Sequence, residues 1–170
     1  MFNIGEYIVY GSRGVCEVAD VSKMEMSSMD KDKLYYTLVP IYARGSKIYS
    51  PVDNKKVVIR PVITQQEALE LIDNIPDIGL VEDVDEKKRE IVYKDAIRTG
   101  KCEELIKVIK TLHKRREIRL AGGKKFTAVD ERYFNAARDC LYGELAVALD
   151  IEVDDVEGYI HDRIDNDNQE

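Results

Sequence analysis

The hydrophobic period of this chain changes once, at Thr64, and that change bounds what it can fold into. Before it, five short runs, EYIVY, VCEVADV, LYYTLVPIY, KIYSPV and VVIRPV, are rich in Val, Ile and Tyr, side chains that suit a pleated, half-buried surface. Gly11-Ser12-Arg13-Gly14, Ser27 to Lys33, Arg44-Gly45-Ser46 and Asp53-Asn54 supply turn chemistry between them. After Thr64 the apolar residues recur every three to four positions, the spacing of helices. A single switch from strands to helices predicts an α+β chain, with a β module first and an all-α module second. Five strands in so few residues predict a small, strongly bent barrel. A module of that size buries little and needs to dock on the rest of the chain.

Helix boundaries are written into the second part. Thr64-Gln65-Gln66-Glu67 fits a capping box, Ala68, Leu69, Leu71 and Ile72 form the apolar face behind it, and Pro76 closes the helix. Residues 74–84 read as a linker with hydrophobic anchors. A helix from about Glu86 to Thr99 is stopped by Gly100, and a second runs from about Cys102 to Leu120, ended by Gly122-Gly123. Thr127 is the expected cap of a third helix, with Asp130 as its box partner, followed by Tyr133, Phe134, Ala137, Cys140, Leu141, Leu145 and Leu149 at helical spacing. A short fourth helix is expected from Val153 to about Arg163. The resulting division is a barrel with a trailing helix over 1–73, a linker over 74–84, a helical domain over 85–164 and a frayed tail over 165–170. The joint at 74–84 also allows two chains to exchange barrels, so both monomer and swapped dimer are open.

Charge is distributed unevenly along these pieces. Residues 1–84 carry net −4, residues 85–125 carry 14 basic against 7 acidic side chains, and residues 126–170 carry net −10. A basic middle in a chain of net charge −7 points to a local surface for phosphates, with a solvated helix face as the plainer alternative. Lys107, Lys110, Lys114, Arg115, Arg116 and Arg119 lie on one helix, Lys87, Lys88 and Arg89 open the preceding one, and Lys124 and Lys125 follow in the loop. Antiparallel packing of the two helices brings these segments to one end of the domain. Local pairing of Lys87 and Arg89 with Glu86 and Glu90 is the competing use. With no Trp in the chain and Tyr93 alone among residues 85–125, base stacking is not the expected mode.

Other classes are weakly supported. The chain has no GxSxG, P-loop or GxGxxG motif, and its two His, His113 and His161, stand apart from any Ser or Cys motif. Gly122-Gly123-Lys124-Lys125 precedes a helix start, which suits an anion or a simple helix–helix loop. Cys16, Cys102 and Cys140 are dispersed and odd in number, which argues against disulfides and zinc and for three small buried hydrophobes. No cofactor or metal is expected. No run reaches the ~20 apolar residues of a membrane helix, and the N-terminus lacks signal-peptide features, so a cytoplasmic location without membrane contact is expected. In Leu34 to Tyr42 both alternation phases are apolar. One phase is expected in the barrel core and the other under a partner or the helical domain, with Pro40 suggesting an edge strand.

Three stretches resemble the CarD/CdnL family of bacterial transcription regulators. They are Gly5-x-x-Ile8-Val9-Tyr10-x-x-x-Gly14; the run from Ile109-Lys110-Thr111-Leu112-x-x-Arg115-Arg116 to Thr127-Ala128-x-Asp130-Glu131-x-Tyr133; and Leu141-Tyr142-Gly143-Glu144-Leu145-Ala146. The resemblance spans roughly residues 1–160. It implies a Tudor-like RNA-polymerase-interacting barrel that docks on the polymerase β subunit. It also implies a helical domain that contacts promoter DNA at the upstream edge of the melted region, with no enzyme activity.

By position, the resemblance implies a polymerase surface around Lys23, Met24, Tyr36 and Tyr49. It implies a DNA surface of Lys87, Lys88, Arg89, Lys114, Arg115, Arg116, Arg119, Lys124 and Lys125. The family commonly carries a Trp at the start of the first C-terminal helix, where it wedges into the minor groove. Counting back from Gly100, that position falls at or near Glu86, so the wedge is absent. The alternative reading is a protein-interaction adaptor whose basic helix meets an acidic partner or the chain's own acidic tail.

Overall fold

Thr64 both ends the β-rich part and starts the helical part through a reciprocal cap. Its hydroxyl accepts from the Glu67 N–H at 3.2 Å, and the Glu67 carboxylate accepts from the Thr64 N–H at 2.7 Å, so each satisfies a donor the other leaves open. The computed structural model describes residues 1–82 and 85–167. The end of the expected linker, 83–84, and the last residues of the expected tail, 168–170, lie outside them.

Strands β1 (Tyr7–Tyr10), β2 (Val15–Lys23), β3 (Leu34–Pro40), β4 (Ile48–Pro51) and β5 (Ile59–Pro61) form one antiparallel sheet in the order β4-β3-β2-β1-β5. A register shift between Val18 and Asp20 bends β2. One face of the sheet buries Ile8, Cys16, Val18, Tyr36 and Leu38, with Phe2, Ile48, Val52 and Ile59 around them. Between β4 and β5, the Asn54 amide donates to Ser50 Oγ at 3.0 Å and reaches Tyr10 Oη at 3.5 Å.

Pro40, expected on an edge strand, lies on an inner one. β3 is an inner strand, paired with β2 on one side and β4 on the other. Pro40 is accommodated because the β3–β4 ladder ends at Leu38 opposite Ile48, so no cross-strand bond there requires its missing N–H. The second phase of β3 is covered within the chain: Tyr35 and Thr37 are buried, and the Tyr35 hydroxyl accepts from the Asp30 N–H at 3.0 Å.

The helices are α1 (Gln65–Asn74), α2 (Glu86–Thr99), α3 (Cys102–Ala121), α4 (Ala128–Leu149) and α5 (Val156–Asp167). Gly100 ends α2 at φ 63°, the left-handed stop expected there. A 3-10 turn at Val153–Asp155 precedes α5, so the last helix begins later than expected and its final turn takes in residues 165–167. The helical core joins Leu105, Val108 and Leu112 of α3 to Ala137, Leu141 and Leu145 of α4, with Tyr93, Ile97 and Val156. Ala68 and Ile72 of α1 are buried in this same core, so the helix that follows the sheet packs with the helical domain. Residues 75–81 are tied along α3: Lys110 Nζ donates to the carbonyls of Ile75 and Ile78, and Thr111 Oγ1 accepts from the Val81 N–H at 2.8 Å.

The β module docks on one face of α4. Cys140 Sγ lies 3.8 Å from the Ser12 carbonyl. A Cβ on Gly143 would sit 2.8 Å from Ile41 Cδ1, so a larger residue there must push the Ile41 side chain aside. Arg60 of β5 meets Glu144. Residues 140, 143 and 144 share a helix face. This docking answers the small module's shortage of its own core. No helix among the described residues is long and apolar enough to cross a membrane.

Candidate functional site

Arg115 organises the basic end of the helical domain. From α3 it donates through Nη2 to Glu86 Oε1 at 3.1 Å and through Nε to Asp130 Oδ2 at 2.7 Å. The starts of α2 and α4 are thereby fastened to the last turns of α3, and Lys87, Lys88 and Arg89 come to the same end as Arg116, Arg119, Lys124 and Lys125. Thr127 caps α4 by accepting from the Asp130 N–H at 3.2 Å. The expected return bond from Asp130 does not form, because its buried carboxylate is taken by Arg115.

The cations of this end do different jobs. Arg115 stands between two carboxylates with its side chain 23% exposed, which makes it an anchor of the fold. Arg119 donates through Nε to the Lys125 carbonyl at 2.8 Å and folds the loop back onto α3. Arg116 lies over the Phe126 ring, 5.7 Å from its centroid. Among the described residues Lys87, Lys88, Arg89, Lys114, Lys124 and Lys125 form no ion pair. Local neutralisation of Lys87 and Arg89 does not occur: Glu86 is taken by Arg115, while Glu90 accepts from Tyr133 Oη at 2.7 Å and pairs with Lys94 and Arg132. The Tyr133 hydrogen bond, reinforced by Lys94, holds the Glu90 carboxyl below its usual range. Lys107 and Lys110 leave the basic surface, one for Glu104 and Glu103, the other for the carbonyls of residues 75–81.

Helix α5, the described part of the acidic C-terminal segment, sits elsewhere. Helix α5 packs on α1 and α4, and Arg163 meets Asp73 at 2.5 and 2.8 Å. Among the described residues no ion pair joins α5 to the basic end.

On the β module, the four residues assigned to a polymerase surface do not form one surface. Tyr36 pairs with Ser50 while Tyr49 pairs with Thr37. They are one residue out of step, so their side chains leave opposite faces of the sheet. Tyr36 is 2% exposed, and its hydroxyl accepts from the Phe2 N–H at 3.0 Å; it belongs to the core. Tyr49 and Lys23 are exposed and Met24 is half-buried.

All three cysteines are buried and free. Burial pushes the Cys102 thiol up to about 12 and those of Cys16 and Cys140 to about 11. The interdomain pair Arg60–Glu144 went unnoticed in the sequence. Its partners are separated by 84 positions and neither stands in a charge cluster. Residues 80–82, beside the basic end, were likewise missed because they read only as linker.

Two family models match consecutive parts of the chain: the CarD-like/TRCF RID domain over residues 2–63 and the CarD C-terminal domain over residues 79–161. No curated protein matches it significantly. The first match covers all five strands and stops one residue before the Thr64 cap; the second covers α2 to α4 and the first half of α5. Together with a β module followed by a helical domain, they show that the chain belongs to the CarD/CdnL family of RNA-polymerase-interacting, non-enzymatic transcription regulators.

Proposed function

We propose that the β module docks on the β subunit of RNA polymerase while the basic end of the helical domain contacts promoter DNA near the edge of the melted region. The observation that carries this reading is the gathering of unpaired Lys87, Lys88 and Arg89 with Arg116, Arg119, Lys124 and Lys125 around the Arg115 anchor. This end lies away from the docked β module. Asp130 marks it on α4 and Glu144 marks the sheet contact, 14 residues or about 21 Å along the helix. Polymerase docking raises the local concentration of a weak DNA surface, so a few unpaired cations suffice. Contacts go mainly to phosphates, which makes sequence preference slight. Glu86, at or near the place of the family's wedge Trp, is bonded to Arg115, which supports a DNA contact without ring insertion. On the β module Tyr49 on one face, and Lys23 and Met24 at the end of β2 on the Tyr36 side, remain as separate candidate polymerase contacts. Edge strand β4 adds a free backbone edge next to Tyr49.

The test uses the full chain. Capture of the polymerase β subunit should be saturable and weakened by Tyr49→Ala. Binding to duplex promoter DNA should fall with salt, with a log–log slope near −0.9 for each phosphate contacted. Capture without any salt-dependent DNA binding would leave the adaptor reading in its place. That reading draws on exposed Ile118, Leu120 and Val129 at the same end.

A further inference from the structure

A second group of cations meets at the seam between the β module and the helical domain. Three runs of the chain hold basic residues and no carboxylate: 11–16 with Arg13, 54–63 with Lys55, Lys56 and Arg60, and 96–102 with Arg98 and Lys101. They are far apart in sequence and pinned together in space. The Gly11 N–H donates to the Val58 carbonyl at 2.8 Å, and Arg60 donates to the Gly100 carbonyl at 2.6 Å. A Cβ on Gly11 would sit 2.8 Å from Val57 Cγ1 and 3.9 Å from the Arg98 carbonyl oxygen. The 3-10 turn Gly11–Arg13, the run into β5 and the α2–α3 turn therefore share one place.

Arg60 is consumed there by Glu144. Arg13, Lys55, Lys56, Arg98 and Lys101 stay exposed. Of these, Arg13, Lys55, Lys56 and Lys101 have no carboxylate partner among the described residues, and Arg98 pairs with Asp95 on its own helix. In a chain of net charge −7, acid-free runs converging from both domains make a local positive surface. None of the large exposed hydrophobic side chains among the described residues lies in the three runs, so the seam lacks the apolar centre of a protein interface.

Helix α2 joins this group to the basic end. Lys87, Ile91, Lys94 and Arg98 recur at helical spacing as one stripe, and all four are exposed. The step from Lys87 to Arg98 is about 17 Å along the helix, half of one ~34 Å turn of duplex DNA. Lys94 and Arg98 are held by Glu90 and Asp95 in exposed pairs, which are weak enough to give way to a phosphate.

We propose that the seam is a second phosphate-binding surface for the same duplex: DNA runs along α2, held at one end by the basic end and at the other by Arg13, Lys55, Lys56, Arg98 and Lys101. This rests on the DNA reading above and extends it, because the β module then touches DNA directly. Edge strand β4 stays clear for polymerase, since the sheet order puts it opposite β5. The Arg60–Glu144 pair fixes the β module on α4, so the two phosphate surfaces keep their spacing.

The test is fluorescence anisotropy of the full chain with a duplex of about two helical turns, across a salt series. The seam variant is Arg13→Gln with Lys101→Gln, one cation from each domain, and Lys55→Gln with Lys56→Gln repeats the measurement should the first fail to fold. Lys124→Ala with Lys125→Ala probes the basic end. Lys31→Gln with Lys47→Gln, in the loops flanking β3, removes the same charge elsewhere. The seam variant should flatten the log–log salt slope by up to about 1.8, at 0.9 per lost contact, at an unchanged melting temperature, and the control should keep the wild-type slope. A wild-type slope in the seam variant, or an equal change in the control, overturns the proposal. So does a seam variant that binds DNA normally but loses capture of the polymerase, which would give the seam to a protein partner. Slope lost only at the basic end sinks this inference and keeps the DNA reading, while slope lost only at the seam sinks the basic-end reading and keeps the seam. A wild-type chain without salt-dependent binding sinks both.

Discussion

Arg60 of β5 donates both terminal guanidinium nitrogens to Glu144 of α4, at 2.5 and 2.8 Å. Glu144 is 1% exposed and also accepts from the Ile63 N–H at 3.1 Å and from the Cys102 thiol at 3.2 Å. Arg60 further donates to the Gly100 carbonyl at 2.6 Å. One ion pair thus fastens the sheet, the start of α1, the α2–α3 turn and α4, and fixes the β module relative to the basic end.

Removing the cation of this pair leaves a buried carboxylate without its countercharge, held only by the Ile63 N–H and the Cys102 thiol. Arg60→Ala should cost about 3–5 kcal/mol, read from urea unfolding. The control is Arg98→Ala, which breaks an exposed pair with Asp95 and should cost no more than about 1 kcal/mol. Equal midpoints for the two variants would mean that the pair does not hold the domains together.

Gly143 should resist enlargement. A methyl there would meet Ile41 Cδ1 at 2.8 Å and Tyr42 at 3.1 Å. Gly143→Ala should destabilise by about 1–3 kcal/mol through overpacking. Adding Ile41→Val, which deletes the clashing methyl, should recover part of that loss in thermal melts.

The cations of the basic end should separate into two classes. Lys124→Ala with Lys125→Ala should leave the melting temperature unchanged and reduce the salt slope of DNA binding by up to about 1.8, at 0.9 per lost contact. Arg115→Ala should lower the melting temperature, because it frees Glu86 and leaves the buried Asp130 carboxylate unpaired. Loss of DNA affinity in the Arg115 variant at an unchanged melting temperature would make Arg115 a contact residue.

Alkaline pH should loosen the fold through its thiols. Cys16, Cys102 and Cys140 are raised from 9.0 to about 11, 12 and 11. Above pH 9 the unfolded chain gives up protons that the folded chain keeps, so this contribution to stability is full below pH 9 and is lost between pH 9 and about 11–12. Each group adds a slope of at most about 1.4 kcal/mol per pH unit. Cys140→Ala should show a shallower decline over that window. Below pH 8.5, Ellman's reagent should label the thiols only after denaturant is added.

The capping pairs carried most of the legible boundaries. Thr64 with Glu67 and Thr127 with the Asp130 N–H form where their spacing placed them, because a cap needs partners only three residues apart. Gly100 and the five Val-, Ile- and Tyr-rich runs were equally readable, since propensity and turn chemistry act locally. The gathering of α2 and α3 cations followed from a short connection between antiparallel helices. Pro40 and Tyr36 were misread for the opposite reason. Whether a strand is inner or edge, and which face of the sheet is buried, depend on pairing partners far along the chain.

By itself, the sequence determined the α+β order, the ends of the first four helices, the location of the basic segment and the family. These rest on residue type and on interactions within a few positions. Only the tertiary structure decided which charges remain free: Arg115 is consumed by Glu86 and Asp130, Lys110 by backbone carbonyls, and Arg60 by Glu144. A side chain's partner is set by which elements pack together, and packing brings into contact residues 15 to 84 positions apart.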